Sequence, residues 1–375
     1  MYTNVSLSRL PAQFKKLGTE NYGLGYRERL LLKGGSFKQK YRYPKSPKDI
    51  SFANMVNGLT FACKHCDPDY LITNDEALMR GLLHFRKILR AEESSLSDER
   101  RRLLNLLETS LAPDTNAYRR DVSVQMAEDA GFNTPEYVTA HNLIHLESSM
   151  AAYPRPFFVK LNFAAGGTGV YMVSEGTDVR QTIEKIRNSG YSLSEDNPAI
   201  IQSLAEGSEV TISFAAWKGQ LLGYTVVKPL ETLFTNGPSS VIKNLYRPQL
   251  EKPLKALVQK LQFSGFGGLD AFETSQQELP NIIEVNLRST HTVPCSSMLG
   301  NNLVSLFFAE LQGNETTRQI VQHTQNEKVI ALFPDEIMRD RNSPYLKSVP
   351  LDISWDDPAL HTALVQLIYK YDKQK

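Results

Sequence analysis

The chain has 375 residues, of which 41% are hydrophobic and 22% are charged, proportions that are typical of a folded globular protein and exclude extensive disorder. Lys and Arg total 42 and Asp and Glu total 41, so the formal net charge of +1 provides no strong field for nucleic acid or an anionic membrane. Because no apolar run approaches about eighteen residues and the start lacks the apolar core of a signal peptide, we expect a cytoplasmic protein whose partners are small molecules.

The first 112 residues have the pattern of an irregular α/β unit. In the helix predicted over 77–89, apolar residues recur at helical spacing, and Asn74 or Asp75 is placed to cap its start. Charged residues and serines predict a solvated helix-loop over 91–102. The other elements expected here are a short amphipathic helix over 10–17, a helix over 51–63 and a buried strand over 70–73.

Two of the three cysteines, Cys63 and Cys66, have C-x-x-C spacing and flank His65. A structural zinc ion needs four ligands, and the third cysteine, Cys295, is far away in the sequence. Structural thiols are therefore the favoured interpretation, with a redox pair and a metal site as the alternatives.

A glycine-rich hairpin is predicted after residue 113, where the elements become more regular. We expect a helix over 119–130, ended by Gly131, and a strand entry over 134–138. A strand over 156–160 follows and leads into Ala164–Val170. Glycines let the backbone turn its N–H groups toward an anion, and Lys160 adds a point charge beside them. A simple tight hairpin is the alternative, because the strand-to-helix context of a Walker motif is missing.

The following segments predict antiparallel strands, because short β-branched and apolar runs alternate with turn residues. The expected strands cover 199–204, 210–217, 221–228, 266–274 and 281–288, with a helix over 253–263.

The last of these strands carries the most informative motif. Side chains alternate faces along a strand, so Glu284, Asn286 and Arg288 are expected on one face, while Val285 and Leu287 face a core. Carboxylate and amide oxygens are ligands that suit Mg2+, and a guanidinium can bind a phosphate or carboxylate through two parallel hydrogen bonds. An isolated motif of this kind would more often be a charged strand face.

Taken in order, the segments over about 113–312 resemble the ATP-grasp superfamily, in which two α+β lobes clasp ATP between antiparallel sheets. The resemblance implies an α+β protein with an N-terminal pre-ATP-grasp-like α/β domain over 1–112, which would be abbreviated here. An ATP-grasp domain would follow over 113–318, with a lid subdomain over about 135–205, and a C-terminal segment over 319–375 would pack on its core, the stretch from Ala331 to Pro358 forming a strand and turn near the site.

The resemblance also implies the site residues. ATP would be bound by Arg120, Lys160, Gly166, Gly167, Thr168, Gly169, Gln202, Ser203, Leu204 and Glu209, and the metal by Asp270, Glu284 and Asn286. Two positions depart from the usual pattern. Gln202 stands where glutamate is common and keeps an amide oxygen for adenine, and Arg120 replaces a commoner lysine, with the adjacent Arg119 leaving this assignment open by one residue.

The implied activity is ADP-forming ligation, in which ATP phosphorylates a carboxylate and an amine or similar nucleophile displaces the phosphate. Lys160 and Arg288 would be catalytic, Mg2+ or Mn2+ would be the metal, and a small carboxylate and an amine would be the partners of a chain that is a candidate homodimer. The alternatives are an ATP-binding regulatory protein without catalysis and an ATP-grasp kinase or carboxylase. Further candidate contacts to phosphate or substrate, each with a surface or packing role as its alternative, are Lys228, Lys243, His291, Arg339 and Arg341.

Overall fold

The computed structural model describes residues 5–26, 29–43, 51–162, 169–235, 237–313 and 327–373. In these ranges helices and sheets alternate in an α+β arrangement with three sheets. No helix in the described ranges has the length and apolarity that crossing a membrane requires.

In its described residues the N-terminal unit has four α-helices and a small parallel sheet. The second, third and fourth helices pack around one apolar cluster. Its elements are α1 (Val5–Lys16), β1 (Tyr22–Gly25), β2 (Gln39–Arg42), α2 (Phe52–Cys66), α3 (Glu76–Ala91) and α4 (Asp98–Ser110). The helix predicted over 77–89 is confirmed, and the side chain of Asp75, not Asn74, accepts from the N–H of Leu78 to cap it. Leucines of α3 and α4, including Leu82 and Leu107, fill the cluster.

Two predictions for this unit were wrong in part. The strand expected over 70–73 does not form, because these residues have no strand beside them to share hydrogen bonds. Tyr70 instead packs its ring against Phe307 and donates its hydroxyl to the carbonyl of Ser264. The segment over 91–102 is solvated as expected, but α4 continues beyond it and buries its apolar face.

The second unit is a four-stranded antiparallel sheet with two helices on one face. It follows α5 (Arg120–Asp129) and contains β3 (Tyr137–Ala140), α6 (Leu143–Ala152), β4 (Phe157–Leu161), β5 (Val170–Val173), α7 (Val179–Asn188) and β6 (Ala199–Ser203), with the strand order β3-β6-β4-β5. Odd-numbered residues of β4 and β6, such as Val159 and Ile201, pack against α6 and α7. Alternation therefore places Lys160 and Gln202 together on the opposite face.

The largest sheet has six antiparallel strands in the order β11-β10-β7-β8-β9-β12. Its elements are β7 (Ser208–Trp217), β8 (Gln220–Thr232), β9 (Ser239–Leu245), α8 (Glu251–Leu261), β10 (Gly265–Glu273), β11 (Asn281–Asn286), α9 (Leu303–Leu311), β12 (Val329–Ala331), α10 (Asp335–Arg339), α11 (Tyr345–Ser348) and α12 (Pro358–Asp372). One face packs on α5 and α8. At one end of the other face, Ala215 and Phe266 pack against α1 and α9, which leaves the opposite end of this face for polar side chains.

A β-bulge in β11 sets which residues reach that polar face. Glu284 pairs with Asp270, whereas Ala271 pairs with Ile282, so Ile283 is an extra residue in the strand. Ile282 and Val285 both pack against the α5 and α8 side of the sheet. Simple alternation from Ile282 would turn Glu284 into this core, and the bulge turns it to the polar face instead.

Candidate active site

Two carboxylates and one amide meet on the polar face of the large sheet. Asp270 of β10 lies directly opposite Glu284 of β11, and Asn286 lies opposite Gly268. The side-chain amide of Asn286 donates to Oδ2 of Asp270 at 3.0 Å, and the hydroxyl of Thr211 donates to Oδ1 of Asp270 at 3.4 Å. The three residues that the sequence assigns to a metal are therefore adjacent.

The surroundings shift the pKa values of the two carboxyls in opposite directions. Burial, followed by the charge of Glu284, raises the pKa of Asp270 to about 6. Burial also acts to raise the pKa of Glu284, but the charge and hydrogen bond of Arg120 and the charges of Lys160 and Arg288 outweigh it and hold this pKa below its ordinary value. The pair therefore carries one firmly ionised carboxylate and one that titrates near neutrality.

Arg120 begins α5 and reaches across to the carboxylates. Its Nη2 donates to Oε1 of Glu284 at 2.8 Å, and its Nη1 donates to the carbonyl of Leu161 at 2.6 Å. The guanidinium is 7% exposed, so this ion pair is shielded from water. Arg119 instead makes a two-pronged ion pair with Asp121. Of the two adjacent arginines, Arg120 is the one beside the carboxylates.

Lys160 projects from the second unit toward the bulge. Its Nζ donates to Oε1 of Gln202 at 2.6 Å and to the carbonyl of Ile283 at 3.2 Å. The bulge leaves this carbonyl without a paired residue on β10. Burial lowers the pKa of Lys160 to about 8, partly offset by the charge of Glu284. The contact also shows that the Lys160 face of the second unit meets the polar face of the large sheet.

Of the remaining predicted nucleotide-binding residues, Gly169, Ser203 and Leu204 lie in or directly beside strands β5 and β6. Gly166, Gly167 and Thr168 fall outside the described residues. Gly169 has a φ of +69° and accepts from the N–H of Leu161, which closes the hairpin. At the other end of the sheet, the N–H of Ser203 donates to the carbonyl of Glu136, and Leu204 follows the strand half-buried.

Three further side chains lie on the sheet faces that carry Asp270 and Lys160. Glu209 was predicted from the sequence, whereas the two apolar side chains, Phe272 and Met172, were not. Glu209 of β7 pairs with Phe272, two residues after Asp270 and on the same face. Burial raises the pKa of Glu209. On the second unit, Met172 pairs with Phe158, shares the face of Lys160 and is 54% exposed. Alternation along the strands could have predicted both residues. Phe272 is two residues after Asp270, and Met172 pairs with Phe158, two residues before Lys160.

Arg288 lies beyond the end of β11, which is shorter than the predicted strand. It lines a small cleft together with Met79, Tyr118, Arg120 and the stretch from Glu284 to Leu287. Its positive charge acts to lower the pKa values of both Asp270 and Glu284, so it is close to the carboxylate pair.

Other charged candidates have partners elsewhere. Lys228 donates to the hydroxyl of Ser208 and Lys243 pairs with Glu327. Arg339 pairs with Glu336 and Glu231, and Arg341 pairs with Asp372. His291 is exposed. None of these contacts involves the carboxylate pair.

A larger cleft lies on the opposite face of the large sheet and is lined in part by Ser208, Val226 and Leu250. Its charged wall is the two-pronged ion pair between Arg247 and Glu273, in which both charges are already matched. The carboxylate pair adjoins the smaller cleft, which Glu284, Arg120 and Arg288 line, and we assign the chemistry there.

The oxygen ligands beside the smaller cleft fit a divalent cation. Asp270, Glu284 and Asn286 offer hard oxygen ligands of the kind that Mg2+ and Mn2+ take. Burial and, after it, the negative charge of Glu284 raise the pKa of Asp270, and a cation would relieve the repulsion between the two carboxylates. In the part of the chain that the structure describes, no three His, Cys, Asp or Glu side chains are grouped to hold a metal, so the amide of Asn286 is needed as a ligand.

Cys63 and Cys66 are free thiols on α2, remote from the carboxylates. Burial raises the pKa of Cys63 to about 12, and Cys66 donates to the carbonyl of Ala62. A protonated, buried thiol is a poor nucleophile and a poor metal ligand, so the structure favours the structural interpretation.

Comparison with known proteins agrees with this geometry. Residues 122–292 match the family model of the ATP-grasp domain. The chain is also 21% identical over 212 residues to the carbamoyl phosphate synthase large chain of Sulfurisphaera tokodaii, an alignment that covers 54% of this chain but only 20% of that protein. Residues 122–292 are therefore similar to an ATP-grasp domain, and the fold of the chain is the α+β ATP-grasp fold.

Solved structures support the same fold at low sequence identity. The biotin carboxylase domain of Hydrogenobacter thermophilus 2-oxoglutarate carboxylase has a TM-score of 0.61 and 12% identity, covering 87% of this chain and 71% of that chain. An L-amino acid ligase from Bacillus licheniformis has a TM-score of 0.58 and 15% identity, covering 86% and 76%. The first was solved as a dimer with MgADP, ADP and bicarbonate.

Proposed function

We propose that the chain is an ATP-dependent ligase that activates a carboxylate as an acyl phosphate and joins it to an amine or a similar nucleophile, releasing ADP and phosphate. The observation that carries the proposal is the carboxylate pair of Asp270 and Glu284, with Asn286 beside it and with Arg120, Lys160 and Arg288 around it. Two carboxylates surrounded by three cations suit a metal-bound polyphosphate, which carries both kinds of charge.

The nucleotide would lie between the two sheets. Lys160, Arg120 and the hairpin of Gly166, Gly167, Thr168 and Gly169 would face its phosphates. Gln202, Ser203 and Leu204 would border adenine and Glu209 the ribose. Phe272 and Met172 would cover the two faces of the adenine ring, since they are apolar side chains on the facing surfaces.

Asp270, Glu284 and Asn286 would hold Mg2+ or Mn2+, which when bound neutralises charge on the phosphate oxygens. The protein's own contribution would be geometry and charge. Arg120 and Lys160 would hold the phosphates in line with the substrate carboxylate, and Arg288 would stabilise the negative charge that develops on the transferred phosphoryl group.

The reaction needs no nucleophilic side chain. A substrate carboxylate oxygen bonds to the γ-phosphorus while the bond to the ADP oxygen breaks. The amine nitrogen then bonds to the acyl carbon, the carbon–oxygen bond to phosphate breaks, and the nitrogen gives up a proton. Because water would hydrolyse the acyl phosphate, the reaction would need water to be excluded from the site.

The test is ADP release by the purified protein with Mg-ATP and a pooled library of amino acids, dipeptides and small carboxylates, with mass spectrometry of the products. A product mass equal to acid plus amine minus water is expected. Glu284→Gln should lose turnover with the fold intact, because it removes a ligand charge. The exposed control Glu147→Gln, on α6, should keep it. Normal turnover in Glu284→Gln would contradict the metal assignment.

Other products would identify the alternatives. A phosphorylated compound in place of a ligated one would indicate a kinase, and Mg-ATP binding without turnover on any substrate would favour a regulatory protein. We further propose the domain limits 1–112, 113–318 and 319–375 and a homodimer, which limited proteolysis and light scattering would test.

A further inference from the structure

Helix α5 begins without a cap of its own. Its N-terminal flanking residue is Arg119, whose side chain makes no capping hydrogen bond, and a guanidinium has no acceptor to offer. The missing acceptor comes from a different element. Oδ1 of Asn162, which directly follows β4, accepts from the N–H of Arg120 at 2.8 Å. An asparagine of the second unit therefore caps the helix that carries Arg120.

Asn162 is held in place on both of its sides. Its side-chain Nδ2 donates to Oδ1 of Asp121 at 3.3 Å, and its own N–H donates to the hydroxyl of Tyr191 at 2.8 Å. That hydroxyl donates in turn to Asn197 at 2.7 Å. The side chain is 1% exposed, so water cannot replace these bonds easily.

The two elements that Asn162 joins carry the two cations of the phosphate site. Lys160 lies two residues before Asn162 on β4, and Arg120 is the residue whose N–H is capped. The two cations repel one another, since the charge of Arg120 contributes to the lowered pKa of Lys160. The charge of Glu284 offsets part of this repulsion, and Asn162 adds a neutral connection between the two elements.

We propose that Asn162 is a positioning residue that fixes the start of α5 to the end of β4 and so holds Arg120 and Lys160 together on the nucleotide phosphates. This inference rests on the proposed function of the site. It gives a role to a residue that contacts neither the carboxylate pair nor either cationic side chain through its own side chain.

The first test compares Asn162→Ala with Asn142→Ala, because Asn142 caps α6 by accepting from the N–H of His145, and α6 packs on the sheet face opposite Lys160. Both variants lose one helix cap, and Asn162→Ala should lose more thermal stability, because its side chain is buried and also donates to Asp121. Asn162→Ala should weaken Mg-ATP binding in calorimetric titration by about tenfold, whereas Asn142→Ala should keep it within about twofold. Equal effects of the two variants on the dissociation constant would overturn the proposal.

The second test exchanges donor and acceptor. Asn162→Asp keeps an acceptor for Arg120 but sets a carboxylate against Asp121, so it should also weaken binding. Adding Asp121→Asn supplies an amide donor to the new carboxylate, and the double variant should bind Mg-ATP more tightly than Asn162→Asp. Asp121→Asn alone measures the loss of the ion pair with Arg119. A double variant no better than Asn162→Asp would contradict the proposal.

Hydrogen exchange of the backbone amide of Arg120 measures the strength of the cap in the absence of nucleotide. It should be slow in the wild type and in Asn142→Ala and faster in Asn162→Ala. Unchanged exchange in Asn162→Ala overturns the inference even if the wild type binds ATP. Failure of the wild type to bind ATP, with the exchange difference present, contradicts the proposed function and, with it, the assigned role of the cap at the phosphates.

Discussion

Nη2 of Arg120 lies 2.8 Å from Oε1 of Glu284, and the two residues are 164 positions apart in the chain. The contact joins the start of α5 to the bulged strand β11. It places a cation assigned to the nucleotide against a carboxylate assigned to the metal. The metal ion would bind Glu284 and the nucleotide would bind Arg120. Because each ligand would contact one member of the same ion pair, their binding should be linked.

Replacing the two adjacent arginines separates their roles. Arg120→Met should weaken Mg-ATP binding by at least about tenfold, because it removes a shielded charge beside the phosphates. Arg119→Met removes only the ion pair with Asp121 and should change binding much less. Calorimetric titration of both variants gives the answer, and a larger loss in Arg119→Met would mean that the assignment is off by one residue.

The pKa values of Lys160 and Asp270 define a window for nucleotide binding. Lys160 loses its proton as the pH rises through about 8, and Asp270 gains one as the pH falls through about 6. The first change removes a phosphate-binding charge and the second removes a metal-binding charge. Binding of Mg-ATP should therefore be strongest between these values and weaken on both sides. A constant affinity from pH 5 to 9, about one unit beyond each pKa, would contradict this assignment.

A single substitution should move the alkaline limit. Gln202→Glu places a carboxylate where the amide oxygen accepts from Lys160 at 2.6 Å, and this charge should raise the pKa of Lys160. The loss of Mg-ATP binding at high pH should then shift to higher pH, while the acid limit stays in place. Ser203→Ala, at the next position, serves as the control. An alkaline limit that does not move would show that Lys160 is not the group that titrates.

Asp270 should destabilise the metal-free protein above pH 6. Its pKa is about 6 in the folded chain and 3.8 in an unperturbed carboxyl, so the folded state binds more protons between these values and stability falls as pH rises from 3.8 through 6. At pH 8 without metal, Asp270→Asn should raise Tm by about a few degrees. Mg2+ should raise the Tm of the wild type but not of this variant.

The exposed substitution Asp196→Asn is the control for that measurement, and it should leave both the Tm and its response to Mg2+ unchanged. At pH 4, where Asp270 is protonated in the folded state, the advantage of Asp270→Asn should disappear. The same gain in Tm at pH 4 and pH 8 would show that packing, not charge, is responsible.

Strand alternation was sufficient to predict which side chains of β11 belong together, although it assumed a regular strand. Glu284 and Asn286 do share a face, because both follow the irregular position. The bulge at Ile283 could not be predicted, since it depends on how β10 and the core behind it constrain the strand. For this reason the hydrogen bond from Lys160 to the carbonyl of Ile283 could not be predicted from the sequence.

The predictions that failed depended on contacts between distant segments. Residues 70–73 are apolar enough for a strand, but a strand also needs an edge to pair with, and Tyr70 is occupied by Ser264 and Phe307 instead. The capping of α5 by Asn162 joins residues 42 positions apart. Local patterns carry no information about such partners.

The most direct test of acyl phosphate formation is trapping with hydroxylamine, which replaces the unknown amine. The protein, Mg-ATP, hydroxylamine and pooled carboxylic acids should give a hydroxamate and ADP in equal amounts, and Glu284→Gln should give neither. ADP that forms with one of these acids without any hydroxamate would contradict the account, because the phosphoryl group would then have gone to an acceptor other than a carboxylate.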